Sequence, residues 1–291
     1  MSFSPKVSLL ALPTLLFTYL ALTLSASAVE AQVVVFDHND VLAGGITPGD
    51  APGYPALLKD PGSYRLDGNL FAPNGVSAVE IDSPEVTLDL DGFTLFAVAG
   101  NPQAPYGING GNHFGTTVKK GTIEGFGYAG IRVGGDAKIL EMRVIGSNGI
   151  GIDAGALSQI HDVQVRYSDS IGVRCAQGCQ LSQAIVSSSG TTGISCGDDC
   201  QVERSISRFN GYVGIWVGKR SNVHHCTSAR NKIGLVTNGQ SLVTHNVVVD
   251  NNGEEIIVGD DSGTATNVVD DVEILNDHEL DPSACIGGLC L

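Results

Sequence analysis

Bulky aromatic side chains and positive charge are both scarce in this sequence. Its 291 residues include one tryptophan and nine phenylalanines. Lysine and arginine number 16 against 31 aspartates and glutamates, a formal charge of −15. So acidic a surface repels nucleic-acid phosphates and excludes that partner. It also disfavours a broad grip on an anionic polymer, which only a local basic strip could provide. No stretch after Leu24 is apolar for long enough to span a bilayer. Helical spacing of apolar residues is lacking too: they come in short alternating pairs, separated by Gly, Ser, Asn and Asp. What the chain has in quantity is glycine, 38 residues, which suits a turn-rich β protein.

The glycines are ordered. Gly130, Gly151, Gly172, Gly193 and Gly214 follow one another at 21 residues, each preceding a β-branched residue: Ile131, Ile152, Val173, Ile194 and Ile215. Nine places after each glycine stands a second aliphatic: Ile139, Ile160, Leu181, Val202 and Val223. A period of this size marks a solenoid. About 21 residues hold three short strands and three bends, after which the chain returns roughly 4.8 Å along an axis. One repeat cannot bury its own inward face, so neighbours must do it. The expected fold is all-β, a single-stranded parallel β-helix, right-handed by the general preference for right-handed crossovers.

Four segments are expected. Residues 1–28 read as a signal peptide, with Lys6, an apolar run Val7 to Leu24 and the small-residue site Ala26-Ser27-Ala28; a cut after Ala31 is the alternative. Residues 29–61, punctuated by prolines, read as an irregular leader that caps the open end of the stack. Residues 62–275 form the β-helix and residues 276–291 a tail. An exported chain, secreted, periplasmic or at the cell surface, meets conditions in which disulfides persist. No membrane contact after signal removal and a monomeric state are expected.

The run GSYRLDGNLFAPNGVSAVEIDSPEVTLDLDGFTL and the later VKKGTIEGFGYAGIRV resemble bacterial secreted right-handed β-helix repeat proteins of the pectate-lyase-like fold. The resemblance spans roughly residues 60–275. It implies the fold; many members carry no assigned activity, and the best-understood relatives by fold act on polysaccharides.

Seven cysteines are present. Cys175, Cys179, Cys196 and Cys200 flank one bend in adjacent coils. Coil spacing allows pairing across coils, Cys175 with Cys196 and Cys179 with Cys200. Pairing within each Cys-x-x-x-Cys unit is also allowed, and repetition of the unit favours it. Four thiolates on zinc is a further reading, one that an exported protein disfavours. Cys285 and Cys290 would close a disulfide loop in the tail. Cys226 is left over at an inward corner, where Asn246 sits one coil later, and reads as an inert buried thiol.

Alternation along a strand places one row outward: Arg132, Asp153, Arg174, Ser195 and Trp216. Guanidinium groups bind carboxylates in two-pronged fashion, and a tryptophan face stacks on a sugar ring. Asp153 between two arginines suits binding better than acid catalysis. The bland alternative is an exposed ladder Arg132–Asp153–Arg174 that keeps coils in register, at about 0–1 kcal/mol per pair. The resemblance implies a polysaccharide groove along this face, beside loops carrying Tyr128, Asn148, Asp169 and Tyr212. It also implies what is missing. Polygalacturonases use several groove aspartates with a histidine and a basic residue, and calcium-dependent pectate lyases need several acidic ligands; this row offers Asp153 alone.

A second strip gathers His224, His225 and His245, with Arg204 and Glu203 nearby, and could hold a metal or move a proton; a solvated corner is the simpler reading. Glu254, Glu255, Asp260, Asp261, Asp270 and Asp271 read as solvated charge rather than a calcium site, and no cofactor is expected. Two functions remain open. One is binding of an extracellular, uronate-containing polysaccharide or cell-surface glycan through Arg132, Asp153, Arg174, Tyr212 and Trp216, with lyase or glycoside hydrolase chemistry if it also cleaves. The other is a non-catalytic structural or adhesive solenoid.

Overall fold

Residues 21 apart do pile into columns. In the computed structural model Ile131 pairs with Ile152, Ile152 with Val173, Val173 with Ile194 and Ile194 with Ile215 on successive parallel strands, and all five are fully buried. The second row, Ile139 to Val223, stacks the same way. The structure describes residues 32–98 and 104–269, with the backbone of the strands Ile274–Asn276, Cys285–Ile286 and Leu289–Cys290. The expected signal segment lies outside the described residues. Among the described residues no helix is long and apolar enough to cross a membrane.

Each regular coil contributes three strands. The glycine–aliphatic strands, Ala129–Val133, Ile150–Ala154, Val173–Cys175, Ile194–Cys196 and Val213–Val217, belong to an 11-stranded parallel sheet, here the groove sheet. The other two strands of each coil form two parallel stacks, joined into a 19-stranded sheet where Thr117–Glu124 and Lys138–Ile145 run through the corner without a break. That corner turns on one non-glycine residue per coil: Glu141, Asp162, Gln183, Arg204, His225 and His245 all have φ between 47° and 57°. The next residue then points inward, giving a buried corner column of Met142, Val163, Ala184, Ser205, Cys226 and Asn246.

The asparagines of this interior are bonded from coil to coil, while the hydroxyls of Ser147, Ser168 and Ser189, earlier in the column of Asn210, are buried without a partner among the described residues. Asn246 Oδ1 accepts from the Cys226 amide at 2.8 Å, and Asn210, Asn231 and Asn251 form a ladder with side-chain bonds of 2.9 and 3.1 Å. Glu255 accepts from the backbone and side-chain nitrogens of Asn251 and is buried. It terminates the ladder rather than adding solvated charge, taking the Asn251 donors that would otherwise be left unpaired. Asp270 and Asp271 lie outside the described residues.

The cysteines pair within each bend, Cys175 with Cys179 and Cys196 with Cys200. All four sulfurs are thereby used, so the four-thiolate zinc reading falls. Cys285 and Cys290 face each other across an antiparallel backbone ladder; the bond expected between them concerns side chains outside the described residues.

Of the expected leader 29–61, the described residues 32–61 differ from expectation. Val33–Phe36 pairs in parallel with Gly62–Leu66, and Ala56–Leu58 pairs with Val79–Ile81. Among the described residues the stack therefore begins at Val33, not at Gly62. Between these strands the helix His38–Ala43 is started by a capping box of Asp37 and Asp40 and buries Val41 in the core. The prolines fall between these elements, and the alternation Val33 to Phe36 sits within the first coil.

Candidate functional site

The outward row forms as the alternation requires. Arg132, Asp153, Arg174, Ser195 and Trp216 are successive partners in the groove sheet. The row continues to Asn109 and Glu80 on one side and to Val236 and Ile257 on the other. It thus passes from charged to apolar along the axis.

Arg174 binds Asp153 with both prongs, Nε to Oδ1 and Nη2 to Oδ2 at 2.8 Å each. That bond raises the Arg174 pKa. Arg132 does not complete the expected ladder. Its Nη1 donates to the Tyr106 hydroxyl at 3.5 Å, with the guanidinium 5.8 Å from the Tyr106 ring centre. Among the described residues no carboxylate stands within ion-pair distance of Arg132. Ser195 is buried between its neighbours. At the charged end, Glu80 accepts from Asn109 Nδ2 at 2.7 Å, and burial pushes its carboxyl pKa up.

These side chains floor an open groove of about 620 Å³ that holds all five residues of the row. Its wall comes from the turns that follow the groove strands, including Gly134, Asp136, Gly155 and Leu157, with Phe114 at the rim. A Cβ on Gly134 would stand 2.3 Å from His113 O, and one on Gly155 2.5 Å from Gly134 C, so only glycine lets the turns stack so closely. Phe114 and Leu157 are 63% and 61% exposed, large apolar surfaces on the rim of the groove.

The structure leaves Tyr212 out of this groove. It precedes its groove strand rather than following it, lies under Lys232 Nζ at 4.7 Å from its ring centre, and packs with Trp216 against Val213, Ile233, Val236 and Ile257. Alternation fixes which side chains point outward but not which edge of the strand rises into a wall. Glu80, Tyr106, Asn109, Phe114 and Leu157 escaped the sequence reading. The first three lie in coils longer than 21 residues, where the period gives no register.

The histidine strip lies on the other sheet. Glu203 and His224 are register partners there, and His225 and His245 occupy the same corner position of successive coils.

No family model matches the chain, and no curated protein matches it. Solved structures do. The periplasmic alginate epimerase AlgG superposes with a TM-score of 0.56 at 13% identity, over 81% of this chain and 67% of that one. The A-module of the Azotobacter vinelandii mannuronan C-5 epimerase AlgE4 gives 0.47 at 12%, over 84% and 88%, and pectate lyase Pel9A gives 0.43 at 13%, over 89% and 82%. Identity this low speaks for architecture alone: the chain is a right-handed parallel β-helix of the pectate-lyase-like fold.

Proposed function

We propose that the groove binds an extracellular acidic polysaccharide, with Arg132 receiving a uronate carboxylate and Trp216 and Phe114 offering faces to sugar rings. The observation that carries this is the state of Arg132. It is a guanidinium in an open groove, oriented by Tyr106, with no carboxylate of the described chain upon it. On a chain of formal charge −15, a cation so placed offers the local basic contact that the net charge withholds. The fold is also that of a periplasmic alginate epimerase, and two disulfides suit an exported setting.

Binding is favoured over glycoside hydrolysis. Asp153, the one carboxylate on the groove floor, is engaged by Arg174 with both oxygens, so it is not free to serve as one of the paired carboxylates that hydrolysis needs. The test is calorimetry with oligouronates and with neutral oligosaccharides of equal length. A charge-assisted contact is worth about 1.5–3 kcal/mol, so Arg132→Ala should weaken oligouronate binding roughly tenfold to a hundredfold. Equal affinity of the variant, or of the neutral sugars, would overturn the proposal. An ultraviolet-absorbing unsaturated product would add cleavage to binding.

A further inference from the structure

We infer that the corner of the 19-stranded sheet carries a copper(II) or nickel(II) site, with His224 Nδ1 and His225 Nδ1 as its ligands. The two nitrogens face each other at 3.0 Å. On its far side His224 Nε2 meets Glu203 Oε2 at 3.3 Å. A carboxylate only accepts, so it holds the His224 proton on Nε2 and leaves Nδ1 as a lone pair. A metal-ligating histidine characteristically gives its other N–H to a carboxylate in this way. Glu203 is itself held by Arg204 Nη1 at 3.3 Å, and the Gln201 side-chain amide, 3.4 Å from the same His224 nitrogen, must turn its oxygen toward it when that nitrogen carries the proton. His225 needs only to move its proton from Nδ1 to Nε2 to become the second ligand, with no net proton lost.

The two nitrogens already stand at hydrogen-bond distance from each other, so one ion with metal–nitrogen bonds of about 2.0–2.1 Å can replace the bridging proton and bind both. Imidazole nitrogens with the other positions left to solvent suit copper(II) or nickel(II). Backbone geometry fixes the pair. His224 ends the strand Asn222–His224, and His225 occupies the left-handed corner at φ 56°, so adjacent side chains that would alternate on a strand converge. His245 stacks on His225 with ring centres 5.1 Å apart and planes at 13°. Face-to-face stacking buttresses the ring rather than supplying a third nitrogen. Solvent fills the remaining coordination positions, and the site is independent of the groove on the other sheet.

The experiment uses the full chain without an affinity tag, stripped with chelator and titrated with copper(II) alone, followed by calorimetry and electron paramagnetic resonance. One ion per chain with an axial spectrum and nitrogen hyperfine structure is expected. His224→Ala and His225→Ala should each weaken binding at least about a hundredfold, and Glu203→Gln about tenfold to a hundredfold, the usual effect of losing an orienting partner. His245→Ala should retain the ion. Copper held equally well by the His224→Ala and His225→Ala variants would overturn the assignment, as would a parent spectrum without nitrogen coupling, which needs no variant to fold.

Discussion

Gly172→Ala tests the packing rule on which the coil stack depends. Gly172 does not have a positive φ, so its need for glycine is one of space. A Cβ added there would lie 2.3 Å from Val186 Cγ1, 2.7 Å from Ser189 Oγ and 2.7 Å from the carbonyl oxygen of Gly193 in the next coil. Comfortable carbon contacts lie near 3.5–4.0 Å. The valine can turn aside. The carbonyl cannot, because it accepts the Val173 amide at 2.9 Å and moving it opens the ladder between coils. Overpacking costs about 1–3 kcal/mol, and an obstacle of backbone puts this case at the upper end. At roughly 2–4 °C of Tm per kcal/mol for a chain of this size, a fall of roughly 4–12 °C is expected in a melt followed by circular dichroism. Combining it with Val186→Ala should relieve only the methyl contact, leaving the two changes less than additive. Gly263→Ala, whose Cβ would meet only the tip of Leu242 at 3.3 Å, serves as the control and should melt with the parent. Should Gly172→Ala also melt with the parent, the close approach of coils is not what holds glycine in that column.

Burial pushes the Cys226 thiol pKa up to about 12, so alkylation of the native chain at pH 8 should leave Cys226 unlabelled in peptide maps, with labelling only after denaturation; prompt native labelling would contradict its burial. Glu80 carries a pKa raised by burial above its ordinary 4.5, which means that at neutral pH its ionised form works against folding, and that this cost disappears as pH falls through the raised value toward 4.5. Glu80→Gln should therefore raise the unfolding midpoint at pH 7 and not at pH 3, and an equal gain at both would assign the effect to something other than charge.

The architecture was legible because a constant period turns spacing directly into register. From Gly130 to Gly214 every step is 21 residues, and the partners of Ile131, Arg132 and Cys175 follow from counting. Counting fails where coils change length. Asn109 lies 29 residues after Glu80, so the charged end of the outward row could not be joined to Arg132 on paper. Spacing also could not choose between equivalent partners. Asp153 stands one strand from each of two arginines, and what decides is Tyr106, which draws Arg132 away and leaves Asp153 to Arg174. At the histidine corner the residues were visible but their convergence was not, since it depends on a left-handed φ at His225 that strand alternation does not foresee.

The two faces of the groove strands answer to different constraints, and this bounds what the groove can hold. Inward, a fully buried column such as Ile131 to Ile215 supplies burial worth about 1.5–3 kcal/mol per side chain. Outward, an ion pair like Arg174–Asp153, with Arg174 about half exposed, is worth only about 0–1 kcal/mol. Stability therefore does not account for the order of residues along the outer row. That order does set limits on an acidic polymer. Beyond Arg132 the row reaches Glu80, whose carboxylate repels it at neutral pH. Beyond Trp216 it reaches Val236 and Ile257, which are buried and closed to a ligand. Between Arg132 and Trp216 lie four strand spacings, roughly 19 Å. Of the two arginines in that interval Arg174 is already neutralised by Asp153. Under the proposed function, a polyuronate would thus be gripped over a short stretch and through one carboxylate, with the position of Arg132 in the row fixing its register.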